Sequence, residues 1–362
     1  MTGRAKRICY RIFLIVCGLA AVLGTVLIAC SAIDYVRAEE YSYLWVFGFA
    51  VGLLLIFPVN TLVHELGHLV FGTLAGMRFS SIRFSRIRIV RIGKHLSGNI
   101  MRMSEVAGAC EMYPRNDRHV RGKMIVFTLG GAVFSTVGSV AVLVCYHLMP
   151  LSPALYFFSL FAPLSILEAF AALYPVETAT GKTDGAVMLG LIKKSPDAIV
   201  ALNVLTAQGI LSGGSYRNIK RDLLYNVPVV REDDTGFLAL LSLRFGYEMV
   251  QGNVAAAMDA LRRLESLFDE LPALSRTEVA CDLVYAYCVL EPDPEHAEKF
   301  MTEAANGMGT CAYYRAIAAY SALQGELTEA TFSRAQVAAD GETIVGIREL
   351  EKELLTRIPN SF

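Results

Sequence analysis

The sequence predicts a mainly α-helical polytopic membrane protein followed by a separate helical domain, and three observations carry that prediction. Hydrophobic residues make up 54% of the 362-residue chain, too many for an ordinary soluble protein. The excess is concentrated in the first half, where residues 12–33, 43–76, 124–149 and 154–174 form four runs of membrane-spanning length. From about residue 194 the composition turns charged and amphipathic, dividing the chain into a membrane domain, 1–193, and a helical domain, 194–362.

The first span follows Arg4, Lys6, Arg7 and Arg11, a basic flank expected on the cytoplasmic side. Leu27-Ile28-Ala29-Cys30 within it resembles a bacterial lipoprotein signal, yet the length of the apolar run favours a retained helix. The second span, Tyr43 to Met77, would measure about 50 Å as one straight helix, well beyond a ~30 Å hydrocarbon core. A bend is therefore expected, with Pro58 as its natural cause. Asn60, His64, His68, Gly72 and Gly76 recur every four residues, a polar and small stripe expected to face the protein interior.

Between residues 78 and 112 the pattern changes to alternation, as in Phe79 to Ile89, which predicts strands with one apolar and one basic face in a small sheet at the membrane surface. Eleven Lys/Arg against three acids lie between Arg78 and Lys123, placing this loop in the cytoplasm or against anionic headgroups. The third span then runs outward and the fourth inward. The N-terminus, the loop and everything beyond residue 189 are thus expected on the cytoplasmic side of a bacterial cell membrane.

The domain from 194 onward reads as helix hairpins, with turns at Gly252-Asn253, Pro292–Pro294 and Gly325-Glu326. Their spacing suits repeats resembling the tetratricopeptide type, which bind peptides or partner proteins, although a plain helical bundle fits as well. With 33 basic and 34 acidic residues the net charge is −1, and no basic stripe suggests nucleic acid as a partner. The eight cysteines include no CxxC pair.

The motif that carries chemistry is His64-Glu65-Leu66-Gly67-His68 in the second span. Residues four apart share a helix face, so His64 and His68 can offer imidazole nitrogens to one Zn²⁺, with Glu65 beside them as general base for a water. Ionisable groups are expensive among hydrocarbon tails, and a functional site is the default reading. A catalytic zinc keeps three protein ligands, so a third must come from elsewhere. His95 and His119 fall in the basic loop, His147 near the outer face and His296 in the helical domain. Asp184, in Thr183-Asp184-Gly185 after the inward-running fourth span, reaches the same side as the histidines.

On these motifs the chain resembles the site-2 protease family of intramembrane zinc metalloproteases, over roughly residues 40–195. The resemblance implies His64, His68 and Asp184 as ligands of one catalytic Zn²⁺, Glu65 as the base, and a membrane-embedded or membrane-proximal protein or peptide as substrate. The family's Gly-rich motif corresponds to Gly130-Gly131-Ala132-Val133-Phe134-Ser135, with Ser135 where Asn is usual. Ala171-Ala172 stand where another Asn is expected, and nine positions separate Pro175 from Asp184. That spacer makes Glu177 an alternative ligand or gate residue, and Asn60 and Ser135 remain accessory candidates. A catalytically inactive scaffold or sensor of the same fold, acting through its helical domain, is the competing reading. A transporter fits least, since four spans show no inverted repeat.

Overall fold

The structure is a computed structural model that describes residues 3–92, 95–100, 108–178 and 181–359. It is mostly helical and divides into two compact units: residues 1–113 with 119–194, and residues 114–118 with 195–362. Among the described residues three helices are long and apolar enough to cross a membrane, or four spans if one bent pair counts as a single crossing.

In the first unit, α1 (Gly3–Ala38) runs unbroken through Cys30. Helices α2 (Leu44–Leu54) and α3 (Ile56–Leu74) are the bent pair, meeting at 63°. The cause is the expected Pro58, acting one turn upstream of itself. Its ring cannot donate to the Leu54 carbonyl four residues back and crowds it, so the helix breaks at Leu55 and restarts at Ile56. Asn60, His64, His68 and Gly72 of the predicted stripe lie on the buried face of α3, whereas Gly76 falls beyond its end.

Strands β1 (Met77–Phe84), β2 (Ile87–Ile92), β3 (His95–Ile100) and β4 (Gly108–Pro114) form one sheet in the order β3-β2-β1-β4. β1 and β2 are antiparallel with Ser81 opposite Val90, and β2 and β3 are antiparallel with Val90 opposite Ser97. Glu111 on β4 accepts hydrogen bonds from Ser81 at 2.6 Å and Arg88 at 3.3 Å, joining three strands through side chains. β4 is an edge strand.

Helix α4 (Val120–Leu148) packs on α3. The two backbones approach so closely at Gly67 and Gly130 that a Cβ on Gly67 would lie 2.4 Å from the Gly130 carbonyl oxygen. The fourth span is broken into α5 (Pro153–Ser159) and α6 (Ala162–Leu173), with Pro163 in the first turn of α6. Side chains from neighbouring helices cap the break: Thr25 donates to the Leu160 carbonyl at 3.4 Å and Asn60 to that of Phe161 at 3.2 Å. Beyond it, β5 (Glu177–Thr178) and β6 (Gly181–Lys182) pair as a small hairpin before α7 (Asp184–Lys193).

In the second unit, α8 (Pro196–Leu211) and the short α9 (Arg221–Tyr225) precede three helix hairpins. These are α10 (Thr235–Gln251) with α11 (Val254–Ser266), α12 (Ala273–Tyr285) with α13 (Pro294–Ala304), and α14 (Cys311–Leu323) with α15 (Glu329–Gly341). The three predicted turns fall between the paired helices, and α16 (Val345–Thr356) closes the unit. Residues 114–118 fold with it, Asp117 accepting from Lys220 at 2.5 Å.

The core of this unit encloses a charge cluster. Arg315, 1% exposed, donates to Asp282 at 2.6 Å and to Glu351 at 2.8 Å, with Tyr285 beneath its guanidinium. Burial pushes both carboxyls above their ordinary range, against the opposing pull of Arg315. Arg315→Leu leaves two buried carboxylates without their cation, and we expect the unit to lose about 3–5 kcal/mol of stability at neutral pH. Because the two carboxyls bind protons more readily folded than unfolded, that deficit should narrow as pH falls through their raised range. Hydrogen exchange across α12, α14 and α16 of the full-length protein reads both effects; native protection in the variant would contradict them.

Candidate metal centre

The break at Leu55 sets α3 so that its buried face carries Thr61, His64, Glu65 and His68. Both histidines and Glu65 are buried. Asp184 arrives from the other end of the membrane unit, and the structure explains how it does so despite the long spacer. Strands β5 and β6 are looped out as a paired hairpin, and Thr183 closes its neck. The Thr183 amide donates to the Val176 carbonyl at 3.1 Å, and its hydroxyl donates to the Tyr174 carbonyl at 2.6 Å. The same hydroxyl accepts from Ala186 as N-cap of α7, so Asp184 occupies the first helical position, where the helix dipole favours a carboxylate. Gly185 follows because nothing larger fits: a Cβ there would lie 1.9 Å from the Leu173 carbonyl oxygen.

Three ligand-type atoms converge. His64 Nε2 is 3.1 Å from Asp184 Oδ2, His68 Nε2 is 3.2 Å from the same oxygen, and the two Nε2 atoms are 3.2 Å apart. Donors about 2.0–2.1 Å from a tetrahedral zinc stand about 3.3 Å from one another, so the triangle has the right size. Proton accounting points the same way. His68 Nδ1 lies 2.8 Å from the Phe127 carbonyl oxygen, which can only accept; Nδ1 therefore carries a hydrogen and Nε2 of the neutral ring presents a lone pair. A lone pair there is available to a cation shared with the Asp184 carboxylate and the second imidazole; with no metal bound, a proton on Nε2 can fill the same place.

Space is provided by α4. A Cβ on Gly131 would sit 2.5 Å from both Nε2 atoms, and the glycine leaves that position empty of protein. The side chain of Asp184 is 26% exposed against 7% and 6% for His64 and His68, so the cluster opens on the aspartate side. This His/His/Asp cluster is able to coordinate a divalent metal, and it is the only such group of three among the described residues. Glu65 belongs to the same turn of α3, with Gly108 at the start of β4 placed so that a Cβ on it would meet Glu65 Oε1 at 2.6 Å.

The remaining sequence candidates lie apart from this triad. Glu177 is exposed in the β5–β6 hairpin, and its carboxylate is not among the converging atoms. Asn60 caps the α5–α6 break. Ser135 is fully buried one turn after Gly131, and its hydroxyl has no hydrogen-bond partner among the described residues. His95, His119, His147 and His296 are exposed. Sequence reasoning put Gly131 in a Gly-rich motif without its approach to the histidines, and passed over the Phe127 carbonyl and the pair Thr61–Glu168, joined at 3.2 Å. Of these last, only Glu168 left a signal, as a lone acid within the apolar run 154–174. Comparison with protein-family models, with curated proteins and with solved structures gave no match to this chain.

Proposed function

We propose that the chain is an intramembrane zinc metalloendopeptidase of site-2 protease type, hydrolysing a peptide bond within or beside a transmembrane segment. The observation that carries the proposal is the convergence of His64, His68 and Asp184 next to Glu65, inside a bundle of membrane-spanning helices. When bound, a zinc ion supplies Lewis-acid polarisation of the scissile carbonyl and makes a water nucleophilic near neutral pH. Glu65 takes the proton of that water and returns it to the leaving amine. The Phe127 carbonyl holds His68 through Nδ1 and leaves Nε2 to take the ion, and Asp184 would supply a negative charge on the open side.

A substrate helix must unwind before attack, because its backbone is closed by internal hydrogen bonds. β4 is the edge strand that starts beside Glu65, so an extended substrate pairing with it lies along the base. The three hairpins of the second unit resemble tetratricopeptide repeats and suit a protein partner. In this reading the protein is a multi-pass cell-membrane protein with its N-terminus and second unit in the cytoplasm. An inactive scaffold has no use for a buried Glu65 beside a metal cluster, which favours the enzyme. The test is cleavage of a transmembrane peptide by the purified full-length protein in bilayers, compared with Glu65→Gln.

A further inference from the structure

Glu168 lies in the middle of α6, in the fourth apolar span, and neither the triad nor the base accounts for it. A carboxylate within a membrane span is costly and marks function by default. Its Oε1 accepts from Thr61 Oγ1 at 3.2 Å, and Thr61 sits one turn before His64 and Glu65 on the buried face of α3. A neutral acceptor would satisfy that hydroxyl equally well, so the hydrogen bond does not explain the charge.

A second observation supplies the reason. His64 Nδ1 is buried with no hydrogen-bond partner among the described residues, whereas His68 Nδ1 has the Phe127 carbonyl. Metal-ligating imidazoles almost always have their second nitrogen supported by a carboxylate, a carbonyl or water, which fixes the tautomer. Through its bond to Thr61, three residues before His64 on the same buried face of α3, Glu168 is brought to the neighbourhood of that ring across the α3–α6 contact.

We propose that Glu168, tethered by Thr61, is the positioning residue for His64: its negative charge favours the tautomer with hydrogen on Nδ1 and so leaves Nε2 free to take the metal. The assignment rests on the zinc reading above. It is tested with full-length protein in detergent, measuring zinc affinity by chelator competition and the visible absorption of the Co²⁺-loaded site. Glu168→Gln keeps an acceptor for Thr61 and removes only the charge. It should bind zinc about 10–100-fold more weakly and shift the Co²⁺ bands.

Thr61→Val keeps the charge and loosens its tether, and should show a smaller drop in affinity. Native zinc affinity and an unchanged Co²⁺ spectrum in Glu168→Gln would overturn the assignment. So would a drop in Thr61→Val alone, which would assign the effect to the hydrogen bond. If the native protein itself takes no zinc, the metalloprotease reading fails first and this one falls with it.

Discussion

Glu65→Gln is expected to lower cleavage of a transmembrane substrate by about 10²–10⁴-fold, the usual contribution of a positioned general base, while leaving fold and metal content unchanged. The amide has the shape of the carboxylate, so it fits the same buried space beside Gly108. It cannot take a proton from water. His64, His68 and Asp184 are untouched by the change, which separates loss of the base from loss of the metal. Mass spectrometry of peptide products in reconstituted bilayers, with zinc measured on the same preparations, gives both readings. Undiminished cleavage by the variant would remove Glu65 from the mechanism.

Gly131→Ala should abolish stoichiometric metal binding, and activity with it, without touching a ligand. The added methyl would fall 2.5 Å from His64 Nε2 and His68 Nε2, the two nitrogens of the triad. Withdrawal of α4 would relieve the clash only by breaking the close backbone contact of α3 and α4 one residue earlier, at Gly130 and Gly67. Either the imidazoles turn away or the helices part, and the triangle is lost in both cases. Gly138→Ala on the same helix meets no atom within 4 Å and serves as the control. Zinc retained at one equivalent in Gly131→Ala would mean that the cluster is more open than its distances imply.

What could be read from the sequence was local and periodic. His64 and His68 are four apart on one helix, and no other spacing was needed to bring them together. Pro58 acts on the carbonyl four residues before it, so the bend between α2 and α3 was visible, displaced by one turn. Alternation marked the strands from Met77 onward, and turn residues marked the three hairpins of the second unit.

The features that escaped join residues far apart in the chain. The approach of Gly131 to the histidines and the bond from Thr61 to Glu168 each need the packing of two helices, which neither helix encodes alone. The spacer before Asp184 is longer along the chain than in space, because β5 and β6 pair as a hairpin whose neck is closed by Thr183. Asn60 lies on the same stripe as the histidines, yet a turn upstream it meets the broken backbone of α5–α6 and not the triad.

The central claim is that His64, His68 and Asp184 bind one zinc ion, and X-ray absorption at the zinc edge of the purified full-length protein tests it most directly. The account predicts one zinc per chain, coordinated by two imidazole nitrogens and carboxylate oxygen at about 2.0–2.1 Å, and loss of that signal in His64→Ala. A native protein that neither retains nor takes up zinc, or a coordination shell without imidazole, would contradict it.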